Sequence, residues 1–269
     1  MLAAALAVVL VAAAAWWTTI APRADRVWAP EHAVMPVVDI DGHVARIHNV
    51  RHFRWSSSTQ FTPAYDDRVV DLDSIRSAWL IVTPFSQRWR GPAHTFVSFG
   101  FADSQYVAIS VEARREPQEH YAMLTGFLKR FELIYVIGDE RDLIGSRARF
   151  GGYDVYVYPI RAEPARIREV FVEMLRRADG LRTHPEFYNT FTNNCTTNLL
   201  RHVDHVAPHL VPRGIRTIFP GYVDEVAYGL GLIDDSVSLS DARRRFRVNA
   251  RALSAGEADD FSQRIRESN

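Results

Sequence analysis

The sequence predicts an α+β domain in which an antiparallel sheet packs against amphipathic helices. Segments of strand length, rich in β-branched and aromatic residues, recur in the middle of the chain at residues 77–85, 94–101, 105–113, 131–138 and 153–160. A clear helical stripe of apolar residues follows them over residues 163–181. Strands grouped in one part of a chain and helices in another are typical of the α+β class.

The N-terminus carries an uncharged, nearly all-apolar segment over residues 2–20, with Trp16 and Trp17 near its end. Its length suits a helix that crosses the hydrocarbon core, and tryptophans favour the membrane interface. A cleaved signal peptide is the alternative. Both interpretations predict export to an envelope compartment, with residues 1–22 as the anchor or signal segment.

The elements between this segment and the long helix follow from local patterns. Residues 37–55 alternate on both sides of Asp41-Gly42, which predicts a hairpin. The polar residues 56–75 predict a long surface loop. Residues 119–130 have a short helical period, and residues 163–181 predict a helix bounded by a proline and a glycine.

We predict that the remaining chain consists of a main domain, residues 25–235, and a C-terminal extension, residues 236–269. Within the extension, residues 241–253 are basic and amphipathic. Such a stretch can lie on anionic headgroups, although a solvated helix face explains the pattern better.

The composition excludes several classes of function. Lysine plus arginine and aspartate plus glutamate each number 32 in the 269 residues, so no net field attracts nucleic acid. One cysteine cannot form an internal disulfide. The sequence contains neither a glycine-rich phosphate loop nor a Gly-x-Ser-x-Gly elbow, and we expect no cofactor and no metal.

The single cysteine, Cys195, follows a polar stretch and opens the segment "CTTNLLRHVDHV", whose apolar residues have helical spacing. Asn193 or Asn194 is the predicted N-cap. Cys195 then lies in the first helical turn, where unsatisfied N–H groups and the helix dipole favour a thiolate and lower the thiol pKa. The alternative is a small residue chosen for packing at a helix start.

A partner base is predicted on the sheet at His94, the start of "HTFVSFGF". Pairing the apolar faces of this strand and the next around a turn at Asp103 places His94 opposite Glu112. A carboxylate beside an imidazole orients the ring, as the third member of a nucleophilic triad does. A register shifted by two residues places Ser110 or Arg114 there instead, and both are counted as candidate substrate-binding residues.

Four blocks together resemble the periplasmic domain of the Lnb family, bacterial envelope proteins linked to N-acylation of lipoproteins: "AHTFVSFGF", "YVAISVEARRE", "ELIYVIGDERDL" and "FYNTFTNNCTTNLLRHV". The resemblance runs from about Trp28 to about Val206. It implies a circularly permuted papain-like (NlpC/P60-like) fold, in which the His strand precedes the Cys helix. It also implies that Cys195 is the nucleophile and His94 the base.

The resemblance further implies a cysteine-dependent acyltransferase anchored in the bacterial inner membrane and facing the periplasm. The expected substrates are a phospholipid acyl donor and the N-terminal amine of a lipoprotein. Two alternatives remain open: a peptidase or amidase acting on cell-wall peptides, and a non-enzymatic envelope scaffold. The C-terminal part departs from the family enzyme, because no further transmembrane segments follow.

A polar cluster before Cys195 supplies further candidate substrate-binding residues: Tyr188, Asn189, Asn193 and Asn194. Capping and turn formation explain its asparagines almost as well. The histidines His202, His205 and His209 have spacings that could bind a metal, but Pro208 breaks the helix before the third.

Overall fold

The computed structural model describes residues 1–23, 25–86, 88, 90–212, 214 and 219–267. In chain order its strands are β1 Val37–Asp41, β2 Val44–Arg51, β3 Arg54–Trp55, β4 Phe61–Thr62, β5 Tyr65–Asp71, β6 Ile75–Pro84, β7 Ala93–Phe101, β8 Tyr106–Arg114, β9 Glu132–Gly138 and β10 Tyr156–Pro159. Its α-helices are α1 Leu2–Thr19, α2 Glu140–Leu143, α3 Gly145–Phe150, α4 Pro164–Gly180, α5 Cys195–Val206, α6 Val223–Gly229, α7 Leu239–Phe246, α8 Asn249–Ala255 and α9 Phe261–Arg264.

One large sheet has the order β1-β2-β9-β8-β7-β6-β10, with β5 paired to β2. Its neighbours are antiparallel except for β2 and β9, which meet in parallel at Arg51 and Gly138. The α+β class is confirmed, but the prediction of a purely antiparallel sheet is wrong at this point. The chain reaches β9 long after β2, so no tight turn between these two strands imposes an antiparallel direction.

Helices cover both faces of the sheet because successive residues of a strand point to opposite sides. Phe99 of β7 packs against Phe171 of α4, with ring centroids 4.8 Å apart, in the core layer that also contains Leu199 of α5. Phe96 belongs to the opposite layer, together with Phe261 and other apolar residues of α3, α8 and α9. The C-terminal helices thus pack on the same sheet as helices α4 and α5, but on its opposite face.

Two segments differ from their predicted structure. The predicted loop 56–75 contains β5, where pairing with β2 and burial of Val70 stabilise a strand that propensity alone did not indicate. The predicted short helix at 119–130 consists of turns with one 3-10 turn, Thr125–Phe127. Lys129 has φ +50°, which ends any helix, and Leu124 and Leu128 are exposed instead of buried.

The apolar N-terminal segment forms the predicted helix, α1, whose side chains are largely exposed. In the described part of the chain, no helix has both the length and the apolar character needed to cross a membrane. The 37–55 hairpin is confirmed in β1 and β2, and Gly42 has the positive φ of its turn.

A buried ion pair fixes the end of β2 beside the site. Asp142 is fully buried and accepts hydrogen bonds from Arg51 Nε at 2.8 Å, Phe53 N at 3.0 Å and Trp55 Nε1 at 2.8 Å. The same guanidinium donates to the carbonyl of Glu31 at 2.9 Å. The pair therefore ties the segment before β1 to the sheet.

Replacement of Asp142 by alanine is expected to lower the free energy of unfolding by about 3–5 kcal/mol, because it leaves the buried Arg51 charge without a partner. Denaturant unfolding measures the change. Asp39→Ala is the matched control, since Asp39 forms an exposed ion pair with Arg46 at 3.7 Å. Equal effects of the two substitutions would contradict the stabilising role of the buried Arg51–Asp142 pair.

Candidate active site

Cys195 is the first residue of α5 and is 4% exposed. Asn194 is the N-cap, one of the two predicted: its Oδ1 accepts from Thr197 N at 2.8 Å, and Thr197 Oγ1 accepts from Asn194 N at 2.8 Å. This reciprocal capping box fixes the helix start. Among the described residues, the backbone N–H groups of Cys195 and Thr196 have no acceptor, so two donors remain free at the thiol.

His94 lies on β7, and the predicted register with β8 is confirmed. The observed pairs, such as Val97 with Ile109 and Gly100 with Tyr106, continue toward His94 opposite Glu112. His94 Nε2 lies 3.9 Å from Glu112 Oε1. The carboxylate is therefore close to the imidazole but not in direct hydrogen-bond contact with it.

Ser110 fills the gap between these two groups. Its Oγ lies 2.7 Å from His94 Nε2 and donates to Glu112 Oε1 at 2.8 Å. A serine hydroxyl has one proton, and an ionised carboxylate only accepts. His94 must therefore donate from Nε2–H to Ser110, which leaves Nδ1 as the unprotonated nitrogen, with no partner among the described residues.

Glu112 is held by two further groups. Arg147 donates to Oε1 at 2.8 Å, and His32 Nε2 lies 3.1 Å from Oε2. The Arg147 charge and the His32 hydrogen bond hold the pKa of Glu112 well below its usual range despite burial. The carboxylate is thus ionised at neutral pH, as the proton assignment at Ser110 requires.

Burial lowers the pKa of His94 to about 3, and the positive charge of Arg147 adds to this effect, whereas Glu112 opposes it. The imidazole is therefore neutral at physiological pH. The neutral ring with a bare Nδ1 is the form that a general base needs. At this pKa it is a weak base, so transfer of a thiol proton requires that the thiolate which forms stabilise the imidazolium.

The His94 ring is expected to stay neutral, as the Nε2–H tautomer, from about pH 8 to about pH 5. Ser110→Ala removes the acceptor of that proton and is expected to populate the Nδ1–H tautomer. Long-range ¹H–¹⁵N spectra of the ring nitrogens measure both effects. An Nδ1–H tautomer in the unsubstituted protein would contradict the proton assignment.

The lowered pKa of His94 also predicts the direction in which the free energy of unfolding changes with pH. The unfolded chain, with a histidine pKa of about 6.5, binds more protons than the folded one between about pH 6.5 and about pH 3. The free energy of unfolding should therefore fall as the pH falls through this window. His202, whose pKa burial lowers to about 4, acts in the same direction.

Cys195 and His94 line one open cavity of about 1070 Å³. The residues that follow them connect α5 to β7, since Thr95 Oγ1 and Thr196 Oγ1 lie 3.0 Å apart in a buried hydrogen bond. No hydrogen bond joins Cys195 Sγ to His94 in the described residues; the sulfur lies 3.9 Å from Thr196 Oγ1.

The other predicted residues have different surroundings. Tyr188 and Asn194 line the cavity. Burial raises the pKa of Tyr188 well above its usual value, with Cys195 and Tyr121 adding to the effect, so its hydroxyl keeps its proton as a donor.

Asn189, Asn193 and Arg114 do not line the cavity, and their polar groups have protein partners. Asn189 Oδ1 accepts from the backbone of the following turn, and Asn193 Nδ2 donates to Phe187 O at 2.9 Å. Arg114 donates to His32 O at 3.0 Å and lies over the Trp28 ring. It therefore orders the segment that carries His32.

Sequence reasoning missed His32 and Arg147, the two residues that hold Glu112. His32 belongs to the short 3-10 turn Pro30–His32 and is 4% exposed, and its Nδ1 has no hydrogen-bond partner within the described part of the chain. No local pattern indicated either residue, because each reaches the carboxylate only through tertiary folding.

The histidines of α5 are separate from this site. His202 Nε2 lies 2.8 Å from the Tyr135 hydroxyl in the core. In the described residues, no group of three His, Cys, Asp or Glu side chains could hold a metal ion.

A thiol at a capped helix start and an oriented, neutral imidazole line one cavity of an α+β domain. The family model described as the Lnb N-terminal periplasmic domain matches residues 61–221, more than half of the chain. The chain therefore belongs to this family, and the domain is periplasmic. No curated protein and no solved structure matches it significantly.

Proposed function

We propose that this protein is a cysteine-dependent acyltransferase of the bacterial envelope, which moves an acyl chain from a phospholipid to the N-terminal amine of a lipoprotein. The observation that carries the proposal is that Cys195 and His94 line one cavity, and that Ser110 links His94 to Glu112. The order of the His strand and the Cys helix fits a circularly permuted papain-like fold. The exposed apolar helix α1 supports a position at the inner membrane.

In the first step, His94 Nδ1 accepts the thiol proton as Cys195 Sγ attacks the ester carbonyl carbon. The free N–H groups of Cys195 and Thr196 stabilise the negative charge that develops on the carbonyl oxygen. The bond to the glycerol oxygen breaks, and that oxygen takes the proton from His94. A thioester on Cys195 and a lysophospholipid result.

In the second step, the lipoprotein amine attacks the thioester carbonyl and gives a proton to His94. The carbon–sulfur bond breaks, and the thiolate recovers the proton. The product is an amide, and the enzyme returns to its starting state. The fixed Nε2–H of His94 keeps Nδ1 available throughout, because Ser110 and Glu112 hold the other side of the ring.

The test is to incubate the full chain, in vesicles of phosphatidylethanolamine and phosphatidylglycerol, with a synthetic diacylated lipopeptide that has a free N-terminus. Mass spectrometry should detect triacylated peptide and lysophospholipid in equal amounts, with Cys195→Ala as the control. Free fatty acid without acylated peptide, or cleavage of cell-wall peptides, would favour the hydrolase. Absence of all four products, in this assay and in a parallel one with cell-wall peptides, would contradict enzyme function and favour a scaffold.

A further inference from the structure

The 119–130 segment presents large apolar side chains to solvent. Leu124 is 78% exposed and Leu128 is 57% exposed. Trp16, near the end of α1, is 65% exposed. We call these three residues the apolar rim.

Lys129 joins the two parts of the rim. Its Nζ donates to Trp17 O at 2.8 Å and to Ile20 O at 3.1 Å, and it lies 5.6 Å from the centroid of the Trp17 ring. These contacts satisfy carbonyls at the end of α1, where a cation is favourable. The apolar helix thus ends beside the exposed leucines.

The rim is continuous with the wall of the active-site cavity. Tyr121 and Met123, just before Leu124, line the cavity with Cys195. Thr190 Oγ1 donates to Met123 O at 2.9 Å, and a Cβ added to Gly126 would lie 2.1 Å from the same Oγ1. The segment is therefore held tightly against the chain that leads into α5.

A lipid surface fits this rim better than a protein partner does. Helix α1 contains no charged residue and exposes apolar side chains along its length, including Leu6, Val9 and Leu10. A tryptophan pair and a lysine at the end of such a helix are typical of the membrane interface. The leucines next to that end lie where the boundary between headgroups and acyl chains would be.

We propose that the apolar rim docks on the lipid surface and opens the Cys195 cavity toward it, so that a phospholipid enters past Tyr121 and Met123. The inference rests on the proposed function for its purpose, since a lipid donor needs an entry route. Its observations are independent of Cys195 chemistry.

The single native cysteine makes a direct test possible. In the Cys195→Ser chain, Leu124→Cys and Leu128→Cys each provide one labelling site for an environment-sensitive NBD fluorophore. Val69→Cys on β5 and Leu253→Cys on α8 are matched controls, because both native side chains are comparably exposed. The full-length variants are reconstituted in vesicles of phosphatidylethanolamine and phosphatidylglycerol that contain a spin-labelled lipid.

The emission of NBD at positions 124 and 128 should be shifted to the blue relative to NBD at positions 69 and 253. The spin-labelled lipid should also quench it several-fold more strongly. Equal quenching at all four positions would overturn the proposal. A blue shift that depends on protein concentration and lacks lipid quenching would also overturn it, in favour of contact with a second copy. Since no acyl transfer is needed, failure of this experiment is distinguishable from failure of the proposed function.

Discussion

Replacement of Cys195 by alanine is expected to abolish N-acylation of the lipopeptide, lowering kcat/KM by at least about a thousandfold. The thiol is the proposed nucleophile, and Cys195 is the only cysteine in the chain. Without it, the oriented His94 has no acid to deprotonate, and the thioester cannot form. Mass-spectrometric counting of triacylated peptide over time measures the loss.

The loss must be separated from unfolding. Cys195 is a small buried side chain whose sulfur has one contact near the hydrogen-bond limit, Thr196 Oγ1 at 3.9 Å. We therefore expect alanine to change the free energy of unfolding by about 1 kcal/mol. Thermal unfolding of the variant serves as the control. Acylation that persists in the folded variant would contradict the role of Cys195.

Replacement of His94 by glutamine is expected to lower the rate of the acyl transfer by about 10²–10⁴-fold. The glutamine amide can still donate to Ser110, but it cannot accept a proton from the thiol. The loss should persist at every pH between about 5 and 8, because burial and Arg147 keep the His94 pKa at about 3.

His120→Gln is the matched control for His94→Gln. His120 lines the same cavity, but its side chain is exposed and has no bond to Glu112. Its substitution should change the rate little. Similar losses in the two variants would indicate that the cavity needs a histidine for binding and not a base at His94.

Much of the fold was predictable because local signals agreed with the tertiary structure. The β7–β8 register followed from matching apolar faces, since one face of each strand packs against helices α4 and α5. The cap at Asn194 followed from short-range chemistry alone. Strand β5 and the parallel contact of β2 with β9 escaped prediction, because pairing partners distant in sequence stabilise them.

The geometry of the candidate site was predictable in part for the same reason. Cys195, His94 and Glu112 lie on elements with strong local patterns. The arrangement of the His94 ring and the Glu112 carboxylate, however, depends on Ser110, which lies between them. It also depends on His32, which lies in a segment that Arg114 holds in place. Such contacts carry no local signal.

The central claim is that Cys195 carries an acyl group as a thioester. The most direct measurement is the intact mass of the full chain after incubation with phosphatidylethanolamine and phosphatidylglycerol vesicles and no amine acceptor, compared with Cys195→Ala and His94→Gln. We expect the mass of the unsubstituted protein to increase by one acyl chain that hydroxylamine removes. We expect no increase with Cys195→Ala and slow accumulation with His94→Gln. Absence of the adduct in the unsubstituted protein, or an equal adduct in Cys195→Ala, would contradict the claim.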